Sequence, residues 1–154
     1  MEFPLLRRAN VKDIPELTGL LEKLFTIEED FQCSPELQQQ GLSLLLNAPR
    51  AAVIVAEDGS GIVGMISGQI LISTAEGGPS LHIEDLYVKS EVRGKGVGKQ
   101  LLEEIGKWGN SNGARRMQLL ADKNNHSGLH FYAHNGWQQT QLICLRSYFK
   151  SGKI

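Results

Sequence analysis

Apolar side chains recur at helical spacing in the first 50 residues. Leu5–Arg8 favours a short strand, and Asn10 is suited to cap the helix that follows it. That helix is predicted to run to about Phe25 with one buried face, from the apolar positions Ile14, Leu17, Leu21 and Leu24. Ser34 and Pro35 favour the start of a second helix, whose apolar side is predicted from Leu37, Leu42, Leu45 and Leu46.

Runs of β-branched residues alternate with turn residues between positions 51 and 88. Ala51–Glu57 and Ile62–Ile72 are predicted to be two strands, and the turn Asp58–Gly61 joins them into a β-hairpin. We expect Ser73–Pro79 to be a flexible loop and Leu81–Val88 to be a third long strand.

The last third of the chain returns to helical spacing. An amphipathic helix is predicted from Val97 to about residues 109–113, with an apolar face made by Leu101, Leu102, Ile105 and Trp108. The remaining predicted elements are a strand, a short helix ending at Asn135-Gly136 and one or two closing strands: 116–121, 124–135, 137–141 and 142–149.

This order of elements predicts an α/β fold. We expect a mixed, mostly antiparallel central sheet with helices on both faces. The strands at 81–88 and 116–121 flank one helix, so they are predicted to be parallel, with a right-handed crossover. A loop at the carboxyl end of such a strand is where open α/β sheets usually bind ligands.

Length and charge restrict the choice of function. The 154 residues suit one core, so one domain over residues 1–154 is predicted. The formal net charge of -1 gives no global reason to expect nucleic acid or an anionic membrane as partner. The N-terminus lacks the order of a signal peptide, and no apolar run approaches the ~20 residues that span a bilayer. A cytoplasmic protein with Cys33 and Cys144 as free thiols is the expectation.

Three glycines within five residues mark the stretch that carries the chemistry. Gly94, Gly96 and Gly98 place several backbone N–H groups at a helix N-terminus, where these groups and the helix dipole favour an anion. Arg93, Lys95 and Lys99 add positive charge around them. A phosphate ester or a pyrophosphate is the expected ligand, and a turn that merely joins a strand to a helix is the alternative.

Two nucleotide-binding patterns are excluded. A Walker A loop requires Ser or Thr after Gly98-Lys99 and a glycine at the position of Arg93, and this chain has neither. The run Gly59–Gly64 matches G-x-G-x-x-G, but a β-branched run follows it where the dinucleotide fold requires a helix. We therefore interpret that run as a hairpin turn.

Two motifs resemble those of the GCN5-related N-acetyltransferase (GNAT) family. The first is Arg93-x-x-Gly96-x-Gly98 after the strand Glu84-Asp85-Leu86-Tyr87-Val88, which is also similar to that of spermidine/spermine-type acetyltransferases. The second is Asn125-x-x-Gly128-x-x-x-Tyr132, followed by Gly136-Trp137. Gly128 departs from the family, in which Ala or Ser is commoner. The resemblance covers nearly the whole chain and implies the GNAT fold, with the parallel strand pair at the cofactor site.

By that resemblance the cosubstrate is acetyl-CoA. The pyrophosphate would be held around the glycine loop by Arg93, Gly94, Lys95, Gly96, Val97, Gly98 and Lys99. The main chain of Leu86, Tyr87 and Val88 would bind the pantetheine arm like an added strand. Asn125 would lie along the same arm, next to the motif residue Gly128.

Acetyl transfer to an amine requires the ammonium to lose a proton and the departing thiolate to gain one. Glu84 is the candidate base, because burial in the strand would raise its pKa, and Tyr132 is the candidate acid. The alternatives are an ion pair for Glu84 and a core position for Tyr132. His126, His130 and His134 share one helix face, but without further ligands a solvated face is favoured and no metal is predicted.

The predicted activity is direct acetyl transfer to a primary amine of a small molecule. A non-catalytic acyl-CoA-binding domain and a protein acetyltransferase are the alternatives. The acceptor would lie against the first two helices and the Ser73–Pro79 loop, where the acidic run Glu28-Glu29-Asp30 would attract a cation. The resemblance also allows a homodimer through the last strands.

Overall fold

The computed structural model describes residues 3–28 and 32–150. Its strands are β1 (Leu5–Arg8), β2 (Ala51–Asp58), β3 (Gly61–Ser73), β4 (Gly78–Val88) and β5 (Met117–Leu119). Its helices are α1 (Ile14–Ile27), α2 (Pro35–Asn47), α3 (Val97–Ser111) and α4 (His126–His134). The chain divides into two compact units, Met1–Leu119 and Leu120–Ile154, and each is described by itself.

The five strands of the first unit form one mixed sheet in the order β1-β2-β3-β4-β5. The first three pairings are antiparallel. β4 and β5 are parallel, with Leu81 opposite Met117 and Ile83 opposite Leu119. The predicted α/β class, with a parallel pair formed by the strands on either side of the glycine loop and α3, is therefore confirmed.

Apolar residues on both faces of this sheet are covered by helices. α1 and α2 bury Leu17, Leu20 and Leu42 in one cluster with Val53 and Met65 of the sheet. α3 packs on the opposite face, where Leu81 and Ile105 lie so close to Gly68 that a Cβ there would be 2.8 and 2.9 Å from them. Different helices cover the two faces, so the residues that a β4 side chain contacts show on which face of the sheet it lies.

Three expectations for the first unit are wrong in detail. Leu37 is 63% exposed, so the buried side of α2 is narrower than its leucines suggested. Residues 73–79 do not form a long flexible loop, because Ser73 pairs with Gly78 across a tight turn that contains the left-handed Gly77. Trp108 is only partly buried and lies 5.9 Å from the guanidinium of Arg8.

The second unit contains α4 and, after it, a segment without regular secondary structure. α4 begins after Asn125 and ends at Asn135 and Gly136, as predicted, and the φ of Gly136 is 86°. The closing strands expected at 137–141 and 142–149 are absent from the described residues, and every residue of 138–150 is exposed. A strand requires a neighbour for its backbone hydrogen bonds, and an apolar sequence does not supply that neighbour by itself.

No helix among residues 3–28 and 32–150 is long and apolar enough to cross a membrane. Residues 29–31, which include most of the acidic run around Glu28, lie outside the described residues.

Candidate functional site

The glycine-rich loop lies exposed at the N-terminus of α3. Gly94 and Gly96 have φ values of 76° and 86°, a left-handed conformation that side chains with a Cβ rarely adopt. Val97, 2% exposed, anchors the helix start in the core, while Arg93, Lys95 and Lys99 are exposed around it. The loop therefore turns sharply and leaves its backbone accessible.

The N-terminus of α3 has N–H groups without an intrahelical partner. In the described helix no side chain caps this end, and its first turn contains no acidic residue. The first intrahelical bond runs from the Gln100 N–H to the Gly96 carbonyl at 3.1 Å. The N–H groups of Val97, Gly98 and Lys99 consequently precede the regular helical pattern, and they form an anion-binding position with the helix dipole.

Positive charge around the loop acts on a neighbouring hairpin turn. The pKa of the exposed Asp58 carboxyl is lowered, mainly by the hydroxyl and amide of Ser60 and to a lesser extent by the charges of Lys89 and Lys95. The turn between β2 and β3, which carries the false dinucleotide pattern, is thus near the loop. Its interpretation as a hairpin turn is confirmed.

The edge of β4 is open next to the loop. The described pairing with β5 ends at Ile83, so residues 84–88 have β3 on one side and no described strand on the other. Arg93 turns back to this edge: its Nε donates to the Val88 carbonyl at 2.8 Å, and its guanidinium lies 5.2 Å from the ring of Tyr87. The sequence-predicted residues from Leu86 to Lys99 are therefore brought together in one unit.

Glu84 differs from its expected environment. Its side chain is 53% exposed, and its Oε1 lies 2.9 Å from Nε2 of His82. The hydrogen bond to His82 lowers the pKa of Glu84 and in turn raises that of His82. The expectation that burial raises the pKa of Glu84 is wrong, because the ion pair outweighs desolvation.

Asp85, the next residue, was not singled out from the sequence as a functional residue. It is partly buried, and the Oγ of Ser67 donates to its Oδ2 at 3.2 Å. Burial, aided by the negative charge of Glu84, raises the pKa of Asp85 to about 6. The available sequence signal was an aspartate in mid-strand, where aspartate is disfavoured unless the strand is irregular.

Asn125, Gly128 and Tyr132 belong to the second unit. The Asn125 Oδ1 caps α4 by accepting from the Gly128 N–H at 3.1 Å. A Cβ at Gly128 would lie 2.5 Å from Nδ2 of Asn125, so a larger residue there would displace the Asn125 side chain from this position. Tyr132 is partly buried, and its ring packs edge-on against Trp137 with centroids 5.8 Å apart.

The histidines and cysteines show no site of their own. His130 and His134 stack with centroids 6.4 Å apart on the exposed side of α4. Within the described ranges, no group of three or more His, Cys, Asp or Glu side chains is arranged to hold a metal ion. Cys33 and Cys144 are free, and both are exposed.

Comparison with known proteins identifies the family of this chain. The model of the acetyltransferase (GNAT) family matches residues 14–137. One curated relative, mouse N-alpha-acetyltransferase 80, is 37% identical over 59 residues. That match covers 38% of this chain and 18% of the relative, so the chain spans well under two thirds of that protein.

Solved structures share the fold at low sequence identity. A Bacillus halodurans transcriptional regulator superposes with a TM-score of 0.82 at 23% identity, covering 95% of this chain and 99% of that one. The aminoglycoside N-acetyltransferase AAC(6')-Iy, in complex with CoA, gives a TM-score of 0.83 at 19% identity, with 98% and 97% covered. These similarities establish the architecture.

Proposed function

This chain belongs to the acetyltransferase (GNAT) family, and from that membership we propose that it moves an acetyl group directly from acetyl-CoA to a primary amine of a small molecule. The observation that carries the proposal is the glycine loop at α3 next to the open edge of β4, within one compact unit. This pair of features suits a polyanion with an extended, amide-bearing arm.

The residues of the loop fit a pyrophosphate. A Cβ added to Gly94 would meet nothing within 4 Å, so open space lies over the backbone there. Backbone N–H groups from Gly94 to Lys99 would hold the phosphates, with Arg93, Lys95 and Lys99 as counter-charges. The main chain of Leu86, Tyr87 and Val88 would bind the pantetheine amides, and Asn125, next to Gly128, would contact the same arm.

The chemistry on the protein side is proton transfer. A carboxylate of the Glu84-Asp85 pair removes a proton from the acceptor ammonium, and the nitrogen can then attack the acetyl carbon. Tyr132 supplies a proton to the departing thiolate, and an N–H group of β4 stabilises the negative charge that develops on the carbonyl oxygen. The acetyl thioester supplies the electrophilic carbon, and no covalent intermediate with the enzyme is needed.

The acceptor class is supported by two comparisons that favour different amines. AAC(6')-Iy is an aminoglycoside N-acetyltransferase, which favours a cationic small molecule. The 59-residue match to an N-alpha-acetyltransferase favours a peptide α-amine as the second candidate. In the first case, the acceptor would lie against α1, α2 and the turn after β3.

A thiol-release assay with an amine panel tests the proposal. CoA binding is measured first by calorimetry, and turnover is then followed with polyamines, aminoglycosides, lysine-containing peptides and peptides with free N-termini. We expect release of CoA with at least one small amine. Turnover with peptides alone would transfer the proposal to a protein acceptor, and CoA binding without turnover would identify a non-catalytic acyl-CoA-binding domain.

Tyr132→Phe is the matched variant for the acid role, because it removes the hydroxyl and keeps the ring that packs on Trp137. It should lower kcat by about 100-fold or more while CoA still binds. Unchanged turnover would remove Tyr132 from the mechanism. The proposal further takes residues 1–154 as one acetyltransferase domain that acts as a homodimer.

A further inference from the structure

The backbone of β4 is irregular at Asp85. The register with β3 passes from Ser67 opposite Glu84 to Met65 opposite Tyr87, so two residues of β4 stand against one of β3. Asp85 has a φ of 57°, and among residues 3–28 and 32–150 it is the non-glycine residue with a positive φ. Such a bulge redirects the side chains that follow it.

The bulge moves β4 side chains from one face of the sheet to the other. Leu81, before the bulge, contacts Gly109 of α3, whereas Tyr87, after it, belongs to the cluster covered by α1 and α2. Strict alternation would place Leu81 and Tyr87 on the same face. The carboxylate of Asp85 lies at this switch, within hydrogen-bond distance of the buried Ser67 hydroxyl.

The groups around Asp85 are arranged to tune a carboxylate. The charged groups that act on it are Glu84 and His82 of its own strand, while β3 contributes the neutral hydroxyl of Ser67. Burial and Glu84 raise the pKa of Asp85 to about 6, and Ser67 and His82 oppose that rise. Glu84 itself is held in its pair with His82.

We propose that Asp85, at the bulge of β4, is the general base of the acetyl transfer proposed above, and that Glu84 is a positioning residue which tunes it through its charge. This inference rests on the proposed function. One N–H bond of the acceptor ammonium breaks as the O–H bond of Asp85 forms, and the freed lone pair attacks the acetyl carbon. The C–S bond then breaks, the thiolate takes the proton of Tyr132, and the second nitrogen proton restores that hydroxyl. Asp85 finally releases its proton to water.

Three variants give different shifts in the dependence of kcat/KM on pH. The kcat/KM of the wild-type protein should fall as pH drops through about 6, and this fall is the acidic limb of its pH profile. Glu84→Gln should move this limb to lower pH, because it removes the neighbouring negative charge. Ser67→Ala should move it to higher pH, because it removes a hydrogen bond to the charged carboxylate. Asp85→Asn should abolish the limb and lower kcat/KM at pH 7 by about 100-fold or more.

An acceptor of low pKa, such as a hydrazide, separates loss of the base from loss of folding. A hydrazide is already unprotonated at pH 7, so the Asp85→Asn variant should acetylate it at a rate within a few-fold of that of the wild type. Loss of the limb in Glu84→Gln but not in Asp85→Asn would overturn the proposal and make Glu84 the base.

A carboxyl-carbon NMR titration, assigned with Asp85→Asn, needs no acceptor. A titration of Asp85 near its ordinary value would overturn this inference even if the amine panel succeeds. A titration near 6 in a protein that binds CoA and acetylates no amine would contradict the proposed function instead.

Discussion

At the scale of single residues, Asp85 combines backbone strain with an unfavourable charge. A left-handed conformation costs an L-residue about 1–2 kcal/mol, although aspartate tolerates it better than most. Its carboxylate gains the Ser67 hydroxyl as donor and has the negative charge of Glu84 beside it. Strain of this kind persists only where the surrounding structure holds it, here the paired β3 and β4.

Asp85→Asn should therefore stabilise the fold in a pH-dependent way. The folded-state pKa of about 6 lies above the ordinary 3.8, so the stability this group contributes is complete below about pH 3.8 and is lost as pH rises through 6. Relative to wild type, the variant should gain on the order of 1–2 kcal/mol in free energy of unfolding between pH 5 and pH 8. Urea unfolding at both pH values measures it. Glu91→Gln, at an exposed carboxylate, is the control and should show no such gain, and a pH-independent difference for Asp85→Asn would contradict the raised pKa.

At the scale of elements, the loop before α3 depends on glycine for its shape. Gly96→Ala places a Cβ at a φ of 86° and should cost about 1 kcal/mol of stability and at least tenfold in CoA affinity, because the N–H groups of α3 shift. Gly59→Ala is the matched control, since it lies in the false G-x-G-x-x-G pattern and its Cβ would meet nothing within 4 Å. Calorimetric titration with CoA should leave the control unchanged. An equal loss of CoA affinity in both variants would contradict a phosphate site at this loop.

The elements that sequence analysis predicted correctly are those with local signals. The apolar spacing of α3 and the glycines before it lie within a few residues of the structure they determine. The bulge at Asp85 instead depends on how β4 registers against β3, and register is set by the whole hairpin. For the same reason the composition of the stretch after Ser73 predicts a flexible loop, whereas pairing of the flanking residues reduces it to a tight turn.

At the scale of the whole molecule, the first unit has buried cores of its own, and the described part of the second unit has none. Residues 3–28 and 32–119 enclose cores on both faces of a sheet, whereas no described residue of 120–150 is buried. The pattern of Leu142–Phe149 predicted strands because it is apolar, and the side chains it identified are indeed those that need burial. What the sequence did not specify is the surface that would bury them.

A second copy of this chain is the expected source of that surface. Five large side chains are each at least 78% exposed within eight residues: Leu142, Ile143, Leu145, Tyr148 and Phe149. Together they present an apolar area on the order of several hundred Å², as large as the patches that mark interfaces, and a stable dimer buries about 800 Å² per partner. Light scattering after size exclusion should give the mass of a dimer for the wild type and of a monomer for Leu145→Asp. Ser147→Asp, which adds the same charge at an exposed polar position two residues away, should remain dimeric, and a monomeric wild type at micromolar concentration would contradict a dimer formed through these side chains.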